Sequence, residues 1–297
     1  MLHHLPRRLG RSSAHKDDTW HVGINQRALE KLHALPCDAA ILDLEDAVSP
    51  TKKPEAREMV CAAARKGYGE HKEIAIRINP LASPWGKDDL AHVVHSGAHA
   101  VVIPKVDSAD TLLEVASTMD ALGAPAAMSI WAMIETPGGV LNVQSIAQAH
   151  PRLACLVAGT SDLSKELQCA ATPCRHALVP SLAMIVLAAR AYGLTSLDGV
   201  HLDLDNAEEF ASQLQQGKEM GFDGKTLIHP KTIERTNDIY SPSTREIDDA
   251  HAIIAAFDAA LAVGDGMAVL HGKLIENLHV ELARGLLAKE AQIRARR

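Results

Sequence analysis

Residues 40–48, AILDLEDAV, form an apolar run that ends in three acidic residues within four positions. A continuous apolar run of this length is typical of a strand that is buried on both faces, as in a parallel sheet covered by helices. Comparable runs recur along the chain and are separated by stretches with helical periodicity, such as residues 109–122. Eight such runs are present, at residues 19–24, 39–44, 74–79, 100–105, 129–135, 154–159, 197–203 and 224–229.

Eight strands that alternate with helices predict an α/β fold, namely a (β/α)8 TIM barrel. An open doubly wound sheet is the alternative, but no Gly-x-Gly-x-x-Gly motif follows an early strand. We expect a flexible tail over residues 1–18, a catalytic barrel over 19–240 and a C-terminal extension of helices and a hairpin over 241–297. The extension is surplus to one barrel, so we expect it to pack on a neighbouring subunit or to close the site.

Composition excludes some classes of function. The formal charge of −7 and the aromatic content of 3% argue against nucleic-acid binding by stacked bases. The longest apolar run, residues 177–189, is too short to span a membrane. Five cysteines without a Cys-x-x-Cys motif indicate reduced thiols, and hence a cytoplasmic protein. The first sixteen residues contain Arg and Ser but no acid, which leaves an organellar presequence as the alternative to a plain tail.

Charged or hydrogen-bonding residues follow nearly every predicted strand. In a (β/α)8 barrel these strand ends share one face, where active sites are built. A single acid there is usually a cap or a solvated turn residue, but Arg77 lies inside an apolar run, where an unpaired guanidinium would be costly. Asp43 is still on its strand and is expected to be a structural partner for a nearby cation. The strand-end residues are Asp43, Glu45, Asp46, Arg77, Asn79, Lys105, Glu135, Asp162, Asp203 and His229.

Glu135 and Asp162 follow adjacent predicted strands and have no His or Cys beside them. Oxygen ligands completed by water and substrate are typical of Mg²⁺ sites. Simple salt bridging is the alternative for these two acids. The convergence of acids with an arginine on one barrel face favours the metal.

Six motifs resemble the citrate lyase beta subunit-like proteins of the HpcH/HpaI aldolase superfamily. They occur in the family's order from about residue 26 onward: AILDLEDAVSPTKKPEAR, RINPLASPWGKDDL, VVIPKVDSADTL, IETPGGVLN, GTSDL and GFDGKTLIHPKTIE. The resemblance implies a Mg²⁺-dependent (β/α)8 barrel that makes or breaks a carbon–carbon bond next to an acyl-CoA thioester. It also implies assembly as a homotrimer or hexamer.

The resemblance assigns roles to particular residues. Glu135 and Asp162 would bind Mg²⁺, with Mn²⁺ as the alternative cation, and Glu45 and Asp46 would lie beside the water ligands of the metal. Glu276 of KLIENLH replaces an expected aspartate that a neighbouring subunit contributes. Either Asp46 or Glu276 would transfer the proton, and the sequence leaves this choice open. The expected substrate-binding residues are Arg77, Glu45, Asn79, Lys105 and Gly159.

The first strand departs from the family pattern, because Lys16 and Val22 replace an arginine and a proline. Recognition of the substrate by that arginine is therefore in question.

The predicted reaction is cleavage or formation of a 3-hydroxyacyl-CoA, such as citryl-, malyl- or citramalyl-CoA, with acetyl-CoA and a 2-oxo acid as products. One alternative is a pyruvate-class aldolase that acts on a CoA-free hydroxy-oxo acid. Such relatives carry a histidine where this chain has Asp46. A second alternative is a non-catalytic, complex-bound citrate lyase beta-like subunit. The near-complete set of acids and Arg77 argues against this alternative.

Overall fold

The computed structural model describes residues 18–22, 26–69, 72–170 and 172–296. Within these residues the chain forms two compact units, one that ends at Asp249 and one that begins at Ala250. The expected N-terminal tail lies outside the described residues except for Asp18, which begins the first strand. Lys16 likewise lies outside them.

The first unit is built on a parallel sheet whose strands are neighbours in chain order. Seven of them, β2 to β8, form a curled sheet, and β1 pairs with β2 on one side and with β8 on the other, with Trp20 aligned to both Ala40 and Leu227. The predicted α/β class is confirmed. The strands are β1 (Asp18–Val22), β2 (Ala39–Asp43), β3 (Glu73–Arg77), β4 (Ala100–Ile103), β5 (Ser129–Ile134), β6 (Leu153–Ala158), β7 (Thr195–Asp198) and β8 (Gly224–Leu227).

The seventh strand corrects the sequence prediction. Residues 197–203 alternate like a strand, but β7 ends at Asp198 and Asp203 lies beyond it in a loop. The chain departs at Gly199, where a side chain would overlap the hydroxyl group of Thr160. The strand-end acid here is therefore Asp198, which is fully buried.

Helices connect the strands and cover the sheet. Successive residues of a strand face opposite sides, so Ala40 and Leu42 of β2 pack in the large helix-facing core. Ile41 packs instead in a smaller apolar cluster with Val102 and Trp131. The helices of this unit are α1 (Gln26–Lys31), α2 (Lys53–Lys66), α3 (Gly86–Val93), α4 (Ala109–Ala121), α5 (Pro137–Leu141), α6 (Val143–Gln148), α7 (Thr160–Glu166), α8 (Val179–Tyr192), α9 (Ala207–Met220) and α10 (Ile233–Tyr240).

Helix α11 (Thr244–Ala262) runs into the second unit, which continues with β9 (Ala268–Leu270), β10 (Lys273–Ile275) and α12 (Asn277–Arg296). The predicted hairpin turns at His271 and Gly272, and both have the positive φ that a two-residue hairpin turn favours. The unit has its own small apolar core, which includes Phe257, Ala268, Ile275 and Val280. None of the helices within the described ranges is long and apolar enough to cross a lipid bilayer.

Candidate active site

Arg77, the last residue of β3, is fixed by Asp43, the last residue of β2. The register of the two strands places these residues directly opposite each other. The guanidinium binds the carboxylate at two points, with Nε 2.7 Å from Oδ1 and Nη2 2.5 Å from Oδ2. Burial opposes the charge of Arg77, but the hydrogen bonds and charge of Asp43 outweigh it and raise the pKa of Arg77. The structural partner expected for Asp43 is thus Arg77.

The remaining nitrogen of Arg77 faces two further acids of the β2 end. Its Nη1 lies 3.0 Å from Oε2 of Glu45 and 3.7 Å from Oδ2 of Asp46. Glu45 is buried, and burial raises its pKa to about 7 despite the charge of Arg77. Its Oε2 accepts no hydrogen bond from the described residues. The side chain of Asp46 is 64% exposed, so of these two carboxylates it is the one that solvent reaches.

Asn79 follows β3, and its side chain makes hydrogen bonds to other residues of the protein. Its side-chain nitrogen donates to the carbonyl oxygen of Leu44 at 2.9 Å and to Oδ2 of Asp89 at 2.6 Å. Asp89 is fully buried and also accepts from Nε of Arg57 at 2.7 Å. These contacts support the turn after β2. The binding of substrate by Asn79 remains a prediction.

Glu135 follows β5 and lies among backbone groups. Its Oε1 accepts the N–H of Lys105 at 2.8 Å. At Gly159 a side chain would overlap Cβ and Oε2 of Glu135, so glycine is required there by close approach. Burial raises the pKa of Glu135 to about 7, although the N–H of Lys105 and the charge of Arg77 lower it.

Lys105 follows β4 and links this acid to the next one. Its φ of 49° is unusual for a residue with a side chain, and such backbone conformations concentrate at functional sites. Its Nζ lies 3.9 Å from Oδ1 of Asp162, in the first turn of α7. Burial alone would lower the pKa of Lys105, but four carboxylates raise it, namely those of Asp162, Glu45, Glu135 and Asp46. The ammonium group of Lys105 therefore interacts with carboxylates that follow three different strands, β2, β5 and β6.

The two predicted metal ligands fit a hard cation. Glu135 and Asp162 offer only oxygen donors, and the raised pKa of Glu135 is what a buried carboxylate shows when burial outweighs the positive charges near it, here those of Arg77 and Lys105. Within the described part of the chain there is no group of three or more His, Cys, Asp or Glu arranged for a metal ion. Two protein ligands completed by water and substrate oxygens remain consistent with Mg²⁺, which keeps several waters when bound.

Glu276 lies in the second unit, between β10 and α12. It is exposed, and its backbone N–H donates to Nδ1 of His279 at 3.0 Å. The structure describes this unit by itself, so the arrival of Glu276 at another subunit's site remains a prediction.

Sequence reasoning missed the buried polar residues that support the site. Asp89 and Arg57 were available from the motifs 77–90 and 40–57, but nothing in the chain marks their pairing across 32 positions. The same holds for Asp198, Arg175 and Lys225, where Nη1 of Arg175 lies 2.8 Å and Nζ of Lys225 lies 3.0 Å from the carboxylate. Contact between distant segments is decided by the fold.

Comparison with known proteins identifies the family of the chain. The sequence profile of the HpcH/HpaI aldolase/citrate lyase family matches residues 18–230. The chain is 44% identical to a (3S)-malyl-CoA thioesterase of Cereibacter sphaeroides (strain ATCC 17025 / ATH 2.4.3) over 92% of this chain and 93% of that protein. It is 33% identical to citrate lyase subunit beta of Escherichia coli (strain K12), over 90% of each.

Among solved structures, the fold is similar to CitE of Mycobacterium tuberculosis in complex with magnesium and acetoacetate. The TM-score is 0.63 at 27% identity, with 76% of this chain and 90% of that chain covered. The magnesium in this relative confirms the predicted Mg²⁺ dependence at the level of the family. With a family profile over most of its length and relatives that share a third or more of its residues, the chain belongs to the HpcH/HpaI aldolase/citrate lyase family.

Proposed function

We propose that the protein is a Mg²⁺-dependent enzyme that acts on a 3-hydroxyacyl-CoA thioester of the (3S)-malyl-CoA class and hydrolyses its thioester bond. The observation that carries the proposal is the fixed guanidinium of Arg77, whose Nη1 is directed at the acids of the β2 end. The carboxylates of the β2 end and those of Glu135 and Asp162 all raise the pKa of Lys105, so they lie around one cation. Hydrolysis is placed first because of the 44% identity to a (3S)-malyl-CoA thioesterase.

In this proposal Glu135 and Asp162 hold the metal. When bound, Mg²⁺ supplies Lewis-acid polarisation of substrate oxygens and fixes their orientation. Lys105 keeps the carboxylate of Glu135 in place through its N–H. Gly159 lets the backbone approach that carboxylate.

Arg77 binds a carboxylate or the thioester oxygen of the substrate. Its other two nitrogen positions are committed to Asp43, so Nη1 is held in one direction and needs no reorganisation when charge develops on the substrate. A preorganised donor of this kind contributes about 3–4 kcal/mol to stabilisation of a transition state. Glu45, with a buried oxygen that accepts no hydrogen bond from the described residues, is suited to accept one from the substrate hydroxyl.

Asp46 is the first candidate for the proton-transfer group, since it is exposed and lies 3.7 Å from Arg77. In hydrolysis it takes a proton from a water molecule as the water oxygen bonds to the thioester carbonyl carbon. The carbon–sulfur bond then breaks, and the sulfur of CoA leaves and gains a proton. The products are the free hydroxy acid and CoA. Glu276 of a neighbouring subunit is the second candidate.

Carbon–carbon cleavage, the reaction expected from the sequence, is the second candidate function, supported by the identity to citrate lyase subunit beta. Here the base removes the proton of the 3-hydroxyl group and the bond between C2 and C3 breaks. The thioester fragment takes up a proton at C2 and leaves as acetyl-CoA, and the other fragment leaves as a 2-oxo acid. The same Arg77 and metal site serve both reactions.

One assay separates these reactions. The protein is incubated with (3S)-malyl-, citramalyl- and citryl-CoA and with a CoA-free hydroxy-oxo acid, with and without EDTA. Free CoA is followed with a thiol reagent and 2-oxo acid is trapped as a hydrazone. Free CoA without 2-oxo acid supports hydrolysis, and 2-oxo acid with acetyl-CoA supports the lyase. Turnover of the CoA-free acid alone supports an aldolase, and turnover that persists in EDTA contradicts the metal assignment.

Two larger features belong to this proposal. The pairing of β1 with both β2 and β8 supports a complete (β/α)8 barrel. We further propose that the chain assembles as a homotrimer or hexamer in which the C-terminal unit supplies Glu276 to a neighbour. The exposed position of Glu276 on a separate compact unit supports this arrangement.

A further inference from the structure

Lys53, the first residue of α2, is a buried lysine without a counterion. It is 6% exposed, and within the ranges that the structure describes no carboxylate lies within ion-pair distance of its Nζ. Its neighbour Lys52 differs in both respects, since its side chain is 57% exposed and it pairs with Glu55 at 2.7 Å. Burial of an unpaired cation is costly. Other contacts must therefore stabilise Lys53.

Within the described part of the chain, the ammonium group of Lys53 binds one turn and one aromatic ring. Its Nζ donates to the carbonyl oxygen of Leu44 at 3.0 Å and to that of Glu45 at 2.9 Å. The ammonium group also lies 5.1 Å from the ring centroid of Trp85, a favourable cation–π arrangement. Two of the three ammonium donors are thus committed to consecutive carbonyl groups of the chain.

Lys53 completes a frame around the turn after β2. The carboxylate of Asp43 accepts the N–H groups of Glu45 at 2.9 Å and Ala47 at 3.2 Å. Asp43 therefore holds the amide groups of the turn while Lys53 holds its carbonyl groups. No uncharged side chain of this length ends in a group that can donate two hydrogen bonds. The buried ammonium group of Lys53 is therefore explained by the two carbonyl groups that it holds.

We propose that Lys53 is a positioning residue for the reaction: its ammonium group sets the turn at Leu44 and Glu45 and thereby places Glu45 and Asp46 against Arg77. The inference rests on the proposed function, because it treats Arg77 and Asp46 as groups that meet the substrate. The inference concerns the positions of the Glu45 and Asp46 carboxylates relative to Arg77. The ammonium group of Lys53 contacts Leu44, Glu45 and Trp85, and neither proposed metal ligand is among these contacts.

The test compares Lys53→Met, Lys53→Arg and the matched surface control Lys52→Met in the full-length protein. Misplacement of a reacting group by about 1 Å can cost about 100-fold in rate. We expect Lys53→Met to lower kcat about 10- to 100-fold, with KM and the Mn²⁺ dissociation constant within about threefold of wild type. Lys53→Arg retains the charge and donors, so it should restore kcat to within about fivefold. Lys52→Met should match wild type.

Backbone hydrogen exchange gives a readout that does not depend on turnover. Because the amides of Glu45 and Ala47 are bonded to Asp43, Lys53→Met should speed exchange in the peptide that covers residues 44–48. Exchange in the peptide that covers residues 129–135 should not change. If the wild-type protein turns over no thioester, the proposed function fails while this measurement still decides whether Lys53 holds the turn.

Three results would overturn the proposal. The first is a folded Lys53→Met variant that keeps kcat within threefold of wild type. The second is unchanged exchange over residues 44–48 in that variant. The third is a Lys53→Met variant that does not fold, which would show that the lysine is needed to form the unit and not to place its acids.

Discussion

Arg77 is a buried guanidinium whose position is decided by one cross-strand neighbour. Asp43 takes two of its nitrogens, which leaves Nη1 to the acids that follow β2. A guanidinium that binds a carboxylate through two parallel hydrogen bonds is fixed in orientation as well as neutralised in charge. A lysine at this position would present a point charge without that direction. In the proposed function, the guanidinium of Arg77 thus combines a structural contact to Asp43 with one nitrogen that faces the substrate.

Gly159 yields a prediction about the metal. A methyl group in Gly159→Ala would overlap Cβ and Oε2 of Glu135, so the carboxylate must move from its present position. We expect Mn²⁺ affinity, measured by electron paramagnetic resonance, to fall about 10-fold or more, an effect comparable to the loss of a group that orients a metal ligand. Gly138→Ala is the control, because its added carbon would lie 3.8 Å from Asp107. Equal Mn²⁺ affinity in both variants would contradict Glu135 as a ligand.

Glu45 yields a prediction about pH. Its pKa in the folded protein is raised by burial to about 7 from 4.5, so the folded state holds a proton that the unfolded state releases. The stabilisation is complete below about pH 4.5 and is lost as the pH rises through about 7. Relative to wild type, Glu45→Gln should therefore gain about 1–3 kcal/mol in free energy of unfolding between pH 5 and pH 8.

Urea unfolding at both pH values in the presence of EDTA measures this difference. Glu135 titrates in the same range and its charge also raises the pKa of Glu45, so the comparison reports Glu45 together with this coupling. Parallel pH dependence of the two proteins would show that Glu45 has an ordinary pKa.

At the scale of elements, β7, β8 and α9 are joined by a buried charged network. Asp198 and Lys225 are aligned across β7 and β8 and both are fully buried. Arg175, from the segment before α8, binds both oxygens of Asp198 and also donates to Oε1 of Gln216 in α9. The network anchors the start of the loop whose Gly199 packs against Thr160 of α7.

Removal of the acid from this network should be costly. Asp198→Asn leaves Lys225 and Arg175 buried without a carboxylate, so we expect a loss of about 3–5 kcal/mol in free energy of unfolding. The exposed pair of Asp205 and Lys231, at 3.1 Å, is the control, and Asp205→Asn should cost less than about 1 kcal/mol. Chemical denaturation of both variants decides the point. A cost below 1 kcal/mol for Asp198→Asn would mean that the network contributes little to stability.

At the scale of the whole molecule, the proposed assembly can be tested by complementation. If Glu276 acts in a neighbour's site, Glu135→Gln and Glu276→Gln should each be nearly inactive, whereas a refolded mixture should regain activity. Some sites of a mixed oligomer would combine an intact Glu135 with an intact Glu276. In an equimolar homotrimer with one donor neighbour per site, we expect about a quarter of wild-type activity.

Three outcomes bear on this arrangement. Restored activity in the mixture supports catalysis in trans. Full activity of Glu276→Gln alone would leave Asp46 as the proton-transfer group. No recovery on mixing, with both variants inactive and oligomeric, would place Glu276 in its own subunit's site.

The sequence by itself determined the class of the fold and which residue types follow the strands at the candidate site. Apolar runs such as residues 39–44 can be buried only on both faces, and their alternation with helices leads to a parallel sheet. Since strand direction is shared, the acids and Arg77 at the strand ends had to lie on one face. The motifs around these residues also determined the family. These inferences depend only on patterns within short, continuous segments of the sequence.

Only the tertiary structure decided which charged groups meet. The pairing of Asp43 with Arg77 depends on strand register, and that of Asp198 with Arg175 and Lys225 depends on three segments. The end of β7 at Asp198 was set by the close approach of Gly199 to Thr160, which no periodicity reveals. Lys53 and Lys52 are adjacent and chemically identical, yet Lys53 is buried against the turn after β2 and Lys52 is exposed. Burial depends on neighbours brought together from distant parts of the chain, and that is a property of the folded molecule.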